Sequence, residues 1–154
     1  MQDIRTGEKA IVAPQRQDAS LNFIGRIRTP WQERRECPRQ GTFDGPRCRI
    51  EIDDIWGEAL DGIETCERLQ VLYWLHESRR DLVSQMPAGR AEAVGTFALR
   101  SPARPNPIGV SVVALIGREG TTLLVRGLDC LDGTPLIDLK PERCAFSADK
   151  ESEK

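Results

Sequence analysis

Residues 110–128, VSVVALIGREGTTLLVRGL, hold two β-branched runs around the short segment REG, and this spacing predicts a β-hairpin. Working outward, RCRIEID (47–53) alternates strictly: Cys48, Ile50 and Ile52 share one face, while Arg47, Arg49, Glu51 and Asp53 share the other. That pattern predicts a half-buried strand. LNFIGRIRT (21–29), QVLYWLH (70–76), VGTFALR (94–100) and LIDLK (136–140) read as further strands. IWGEALDGIETCERL (55–69) has apolar residues about three apart and predicts a short helix, interrupted at Gly57 and Gly62. SRRDLVSQMPAGRAEA (78–93) reads as a loop with one helical turn. Six or seven strands with one or two short helices define an all-β, β-dominated fold. A small single-sheet β-barrel is its most economical form, because closure leaves no long free edges. Helices are missing between the strands, and neither G-x-G-x-x-G nor G-x-x-x-x-G-K occurs, so a doubly wound nucleotide fold is disfavoured.

The 154 residues suit one domain, expected over 21–146, with a loose N-terminal tail over 1–20 and a polar tail over 147–154. No apolar run approaches the roughly 18 to 20 residues that span a bilayer. The first 20 residues lack a signal-peptide core, and the expectation is a cytoplasmic protein without membrane partners. The five cysteines (37, 48, 66, 130 and 144) contain no C-x-x-C pair and there is one histidine, so no metal site is expected and the thiols read as reduced and packed. Charge is uneven. Arg26 to Arg49 holds seven arginines against three carboxylates, whereas Glu51 to Glu67 holds seven carboxylates and no Lys or Arg. One face can thus welcome phosphates while another repels them, the plainer reading being a solvated surface.

Three segments carry candidate chemistry. RSPARPNPIG (100–109) places three prolines, two arginines and an asparagine in ten residues. Each proline fixes its own φ and holds the residue before it extended, so Ser101, Arg104 and Asn106 sit on a loop stiffened before any ligand arrives. Such preorganisation lowers the cost of binding. LDCLDGTPLIDLKP (128–141) gathers Asp129, Asp132 and Asp138 around an Asp-Gly turn. Carboxylates there can hold a ribose diol or an ammonium group, or can simply stabilise the turn. CPRQG (37–41) adds Arg39 and Gln40 behind Pro38. His76 ends an apolar strand and reads more readily as a core or rim histidine than as a catalyst.

Together PRQ, the strand ending in histidine, F-x-x-RSPxRPNPIGxS and LDxLDGTPxxDxKP closely resemble the TsaA-like family of tRNA methyltransferases, over about residues 22–141. The resemblance implies a small β-barrel acting as a homodimer. It also implies S-adenosylmethionine as methyl donor and, as substrate, the N6 nitrogen of threonylcarbamoyladenosine beside the anticodon of tRNA. By position it implies a cofactor site of Pro38, Arg39, Gln40, His76, Glu77, Arg100, Val110, Asp129, Leu131, Asp132, Gly133 and Thr134, with Arg104 and Asn106 toward the substrate. His76 and Asp132 are the acid–base candidates. Glu142 stands where an aromatic is usual, and Glu77 where Gln is common. The alternative is a noncatalytic binding protein that keeps the cofactor pocket. A tRNA partner is expected to meet the Arg26–Arg49 strands and Arg79-Arg80, with affinity that falls as salt rises.

Overall fold

The computed structural model describes residues 3–14 and 16–143; the expected C-terminal tail and Cys144 lie outside the described residues. Among the described residues there are nine strands: β1 (Lys9–Ala10), β2 (Gly25–Arg28), β3 (Arg47–Ile52), β4 (Arg68–Trp74), β5 (Leu82–Gln85), β6 (Val94–Gly95), β7 (Ile108–Glu119), β8 (Thr122–Arg126) and β9 (Pro135–Pro141). The chain divides into two compact units, Asn22–Tyr73 with Val110–Lys154, and Met1–Leu21 with Trp74–Gly109.

In the larger unit six strands close in the order β2-β3-β8-β7-β4-β9. Alternation builds its interior: Ile27, Ile50, Val71, Val113, Leu123, Val125 and Leu136 are fully buried, one or two from each strand. Each such side chain contributes about 1.5–3 kcal/mol relative to an exposed position. The β3 pattern is as read from RCRIEID, with Cys48, Ile50 and Ile52 buried and Arg47 and Arg49 exposed. The predicted hairpin also forms, but pairing runs to Glu119↔Thr122, so the turn shrinks to Gly120-Thr121. The expected helix over 55–69 is instead two 3-10 segments, Asp54–Leu60 and Ile63–Thr65. Gly62 separates them with φ +84, a left-handed value that only glycine adopts cheaply.

The smaller unit corrects the expectation of a single sheet. Strands β1, β5 and β6 form a second, three-stranded sheet in the order β1-β5-β6. The segment expected to be a loose tail supplies β1, with Lys9 opposite Ser84 and the Ile11 N–H donating to the Asp81 carbonyl at 2.8 Å. The segment expected to be a loop supplies β5. Its periodicity is masked because Gln85 is a buried polar residue, donating from Nε2 to Thr96 Oγ1 at 3.0 Å and to the Ala103 carbonyl at 2.6 Å. Thr96 in turn donates to the Leu82 carbonyl at 2.8 Å. VGTFALR is a strand only over Val94–Gly95, then a 3-10 turn over Thr96–Ala98 closed by the Leu99 N–H on the Thr96 carbonyl.

Candidate functional site

One polar feature of the barrel unit is a cluster of two hydroxyls on one carboxylate. Tyr73 ends the inward row Leu69, Val71, Tyr73 of β4 and is 4% exposed. Its hydroxyl donates to Asp129 Oδ1 at 2.7 Å and shares a 2.8 Å hydrogen bond with Ser111 Oγ on β7. Ser111 also lies 3.3 Å from the same Oδ1. Burial, and then the neighbouring Asp129, push the Tyr73 phenol well above its ordinary value, so it stays protonated and remains a donor. Both hydroxyls converge on Oδ1, and Oδ2 has no protein hydrogen bond among the described residues. Asp129 is only half-buried, so a carboxylate oriented from behind keeps one oxygen for a ligand N–H or O–H.

The CPRQG loop is fastened beside this cluster. A Cβ on Gly41 would lie 1.8 Å from the Gly127 carbonyl oxygen and 2.9 Å from that of Leu128, so glycine alone permits the contact. Pro38, Arg39 and Gln40 are thereby held exposed near the Leu128–Asp129 backbone. The Cys37 thiol is raised by burial first and next by the Asp129 charge, and Cys48 and Cys130 are raised by burial. These thiols are protonated, packed groups.

Asp132 behaves differently from Asp129. Its Oδ1 accepts the Thr29 N–H at 3.1 Å, its Oδ2 accepts from Gln32 Nε2 at 3.4 Å, and Arg28 Nη1 is 3.8 Å from Oδ2. The Asp132 N–H donates to Trp31, the Gly133 N–H to Ile27, and the Thr134 hydroxyl to Leu131 at 2.7 Å. Asp132, Gly133 and Thr134 therefore clip the turn to the end of β2, with Leu131 half-buried beside them. Val110 opens the barrel part of β7 at 40% exposure.

The smaller unit holds the remaining candidates. His76 lies beyond the end of β4 in a turn, 41% exposed in its side chain, with Nε2 3.9 Å from Glu77 Oε1. It is a rim residue, and the buried strand end expected from QVLYWLH stops at Trp74. The structure brings this turn to the proline loop, because the Leu75 N–H donates to the Pro107 carbonyl at 2.8 Å. Arg80 donates to the Pro105 carbonyl at 2.7 Å and sits over the Trp74 ring at 5.3 Å. Arg104, expected to face a substrate, turns back on its own loop, donating from Nη1 to the carbonyls of Leu99 at 2.9 Å and Ser101 at 3.1 Å. Asn106 and Arg100 are exposed.

A groove of about 1010 Å³, lined among others by Trp56, Leu60, Ile63, Leu69 and Lys140, opens at the start of β4. It shares no residue with the Asp129 cluster, which lies at the other end of that strand. Tyr73 is the residue that sequence reasoning missed. A hydroxyl-bearing side chain on the inward parity of an apolar run was its signal, since a buried phenol needs a partner.

Residues 26–146 match the family model described as the tRNA-methyltransferase O N-terminal domain. The chain belongs to that family. The match starts a few residues later and ends a few later than the motif-based span of 22–141. Among tRNA-methyltransferase O structures, that of Pseudomonas aeruginosa superposes with TM-score 0.69 at 34% identity, over 84% of this chain and 56% of its own. The present chain thus spans little more than half of that solved relative. A Rhizobium radiobacter relative, VirR, named as a probable S-adenosyl-L-methionine-binding protein, is 54% identical over 91% of this chain and 80% of its own length. An Archaeoglobus fulgidus relative named as an S-adenosyl-L-methionine-binding protein is 42% identical over 78% of this chain and 86% of its own. Among the described residues no helix is long and apolar enough to cross a membrane, and no group of three or more His, Cys, Asp or Glu is placed to hold a metal ion.

Proposed function

We propose that this chain is an S-adenosylmethionine-dependent methyltransferase acting on the N6 nitrogen of threonylcarbamoyladenosine near the anticodon of tRNA, working as a cytoplasmic homodimer. The observation that carries the reading is the Asp129 carboxylate, oriented by Tyr73 and Ser111 and flanked by the Gly41-anchored Pro38–Gln40 loop, within a chain of this family. S-adenosylmethionine supplies an electrophilic methyl group on a sulfonium. Asp129 would accept hydrogen bonds from the cofactor's hydroxyls or ammonium, and Arg39 and Gln40 would meet its carboxylate and its amide-like edge. On the smaller unit, Arg100 and Asn106 are the exposed polar groups of a loop tied down at Ala103, Arg104, Pro105 and Pro107. A displacement at carbon needs alignment more than a covalent nucleophile, so most of the rate enhancement comes from positioning. The N6 nitrogen is conjugated to a carbonyl and gains nucleophilicity by losing its proton. His76 is the better acceptor for that proton, because its ring is accessible while both oxygens of Asp132 are engaged in the turn.

A second reading, a noncatalytic S-adenosylmethionine-binding protein, is favoured by the names of the Rhizobium and Archaeoglobus relatives, most of whose length this chain covers. Transfer of a tritiated methyl group to tRNA separates the two. Label in tRNA that carries threonylcarbamoyladenosine supports the enzyme, and cofactor binding by calorimetry without any transfer supports the second reading. Single-turnover methylation by His76→Ala at an unchanged rate removes His76 from the chemistry.

A further inference from the structure

We infer that the outer face of β2, β3 and β8 is an RNA-phosphate-binding surface, with Arg26, Arg47 and Arg49 as its contacts; this rests on the tRNA reading above. Strand alternation turns Arg26 and Arg28 outward on β2, Arg47 and Arg49 on β3 and Arg126 on β8. The registers then set like charges opposite one another: Arg28 faces Arg49, and Arg47 faces Arg126. Directly opposed like charges destabilise an antiparallel pair. Two such pairs on one face are a cost that folding alone does not explain.

The local carboxylates do not cancel this charge. Glu51 is taken by Arg28 Nε at 2.5 Å, and Arg28 also leans on Asp132. Arg126 donates to the Gly45 carbonyl at 2.6 Å, a neutral acceptor, with Asp44 in electrostatic reach. Arg26, Arg47 and Arg49 are exposed and form no ion pair among the described residues. Arg79, expected to meet tRNA, instead grips Asp81 at 2.6 Å, so the barrel arginines are the better phosphate contacts. Their spacing suits a nucleic-acid strand. Arg47 and Arg49 lie two residues apart, about 6.6 Å along β3, and neighbouring strands lie about 4.8 Å apart. Arginine forks also bind phosphate oxygens in pairs. The partner fits a polyanion with regularly repeated phosphates better than an acidic membrane, because Leu124 is the one large apolar residue on the outward rows of β2, β3 and β8.

The test uses the full chain and unfractionated tRNA, with binding followed by fluorescence anisotropy from 50 to 300 mM salt. For Arg47→Gln/Arg49→Gln, affinity at 0.1 M salt falls about tenfold or more, and the slope of log affinity against log salt shallows by about 1.5 to 2. Affinity for S-adenosylmethionine stays within error of wild type, and the melting temperature holds or rises, because the variant relieves both opposed arginine pairs. Arg79→Gln is the comparison, with a smaller change in slope. If wild type binds and methylates tRNA while the double variant keeps the same slope, the surface is refuted and the function stands. If wild type shows no salt-dependent tRNA binding, the function and the surface fall together. Competition by acidic phospholipid vesicles in place of tRNA also overturns the assignment.

Discussion

The phenolic hydroxyl of Tyr73 donates to Asp129 Oδ1 at 2.7 Å, joining the end of a barrel strand to a loop 56 residues further along the chain. Tyr73→Phe keeps the ring and removes the donor, leaving Asp129 with Ser111 alone. A loss of about 0.5–1.5 kcal/mol is expected for a buried hydrogen bond, read by urea denaturation. Cofactor affinity measured by calorimetry falls several-fold as well, because the carboxylate loses its orientation. Tyr73→Phe with full cofactor affinity and only a stability loss would confine the cluster to a structural role.

Gly41 sits where any Cβ meets the Gly127 carbonyl oxygen at 1.8 Å. Gly41→Ala therefore displaces either the CPRQG loop or the end of β8. The expected cost is about 1–3 kcal/mol, the range for overpacking a filled site. Thermal melting checks it, and weaker cofactor binding should accompany it.

Arg104 ties two carbonyls of the proline loop, those of Leu99 and Ser101. Arg104→Ala should raise hydrogen exchange at backbone amides over residues 99–106 while leaving the barrel strands as protected as before. Hydrogen bonds to charged groups are worth about 1.5–3 kcal/mol where water is excluded, and less at this half-exposed site. Unchanged exchange would mean that the prolines alone stiffen the loop.

Low pH should loosen the β1–β5 sheet. Glu8 is held below its ordinary 4.5, chiefly by the Arg5 backbone N–H, and Asp81 below its ordinary 3.8, chiefly by the Arg79 side chain. Depressed carboxylates contribute stability that is fully present above their unfolded values and is lost as pH falls through the folded ones. Protection of the residue 9–11 amides should thus be intact at pH 6 and decline below about pH 4, as hydrogen exchange would register. Glu8→Gln should abolish part of that decline.

How much was legible varies by element. Strand β3 was readable because it buries one face, which writes a period of two into the residues themselves, whereas β7 and β8 were readable as β-branched runs on either side of REG. Strands β1 and β5 were not, since β1 has two residues and β5 buries Gln85, whose partners Thr96 and Ala103 lie 11 and 18 positions away. The motif residues stood out as types, but their roles did not. Nothing in LDCLDGTP distinguishes Asp129 from Asp132, and only the fold gives one to Tyr73 and Ser111 and the other to Thr29 and Gln32.

The amino-acid order by itself determined the β-dominated class, the stiffened arginine loop, the family and the uneven charge, because each depends on neighbours within a few residues. Tertiary structure alone decided which carboxylate is poised and which is consumed, that Arg104 is spent on its own loop, and that arginines face arginines across the barrel wall. The reason is physical: periodicity records which face a residue turns to the core, whereas a hydrogen bond or an opposed charge depends on strand register. Register is fixed only when all six strands have closed.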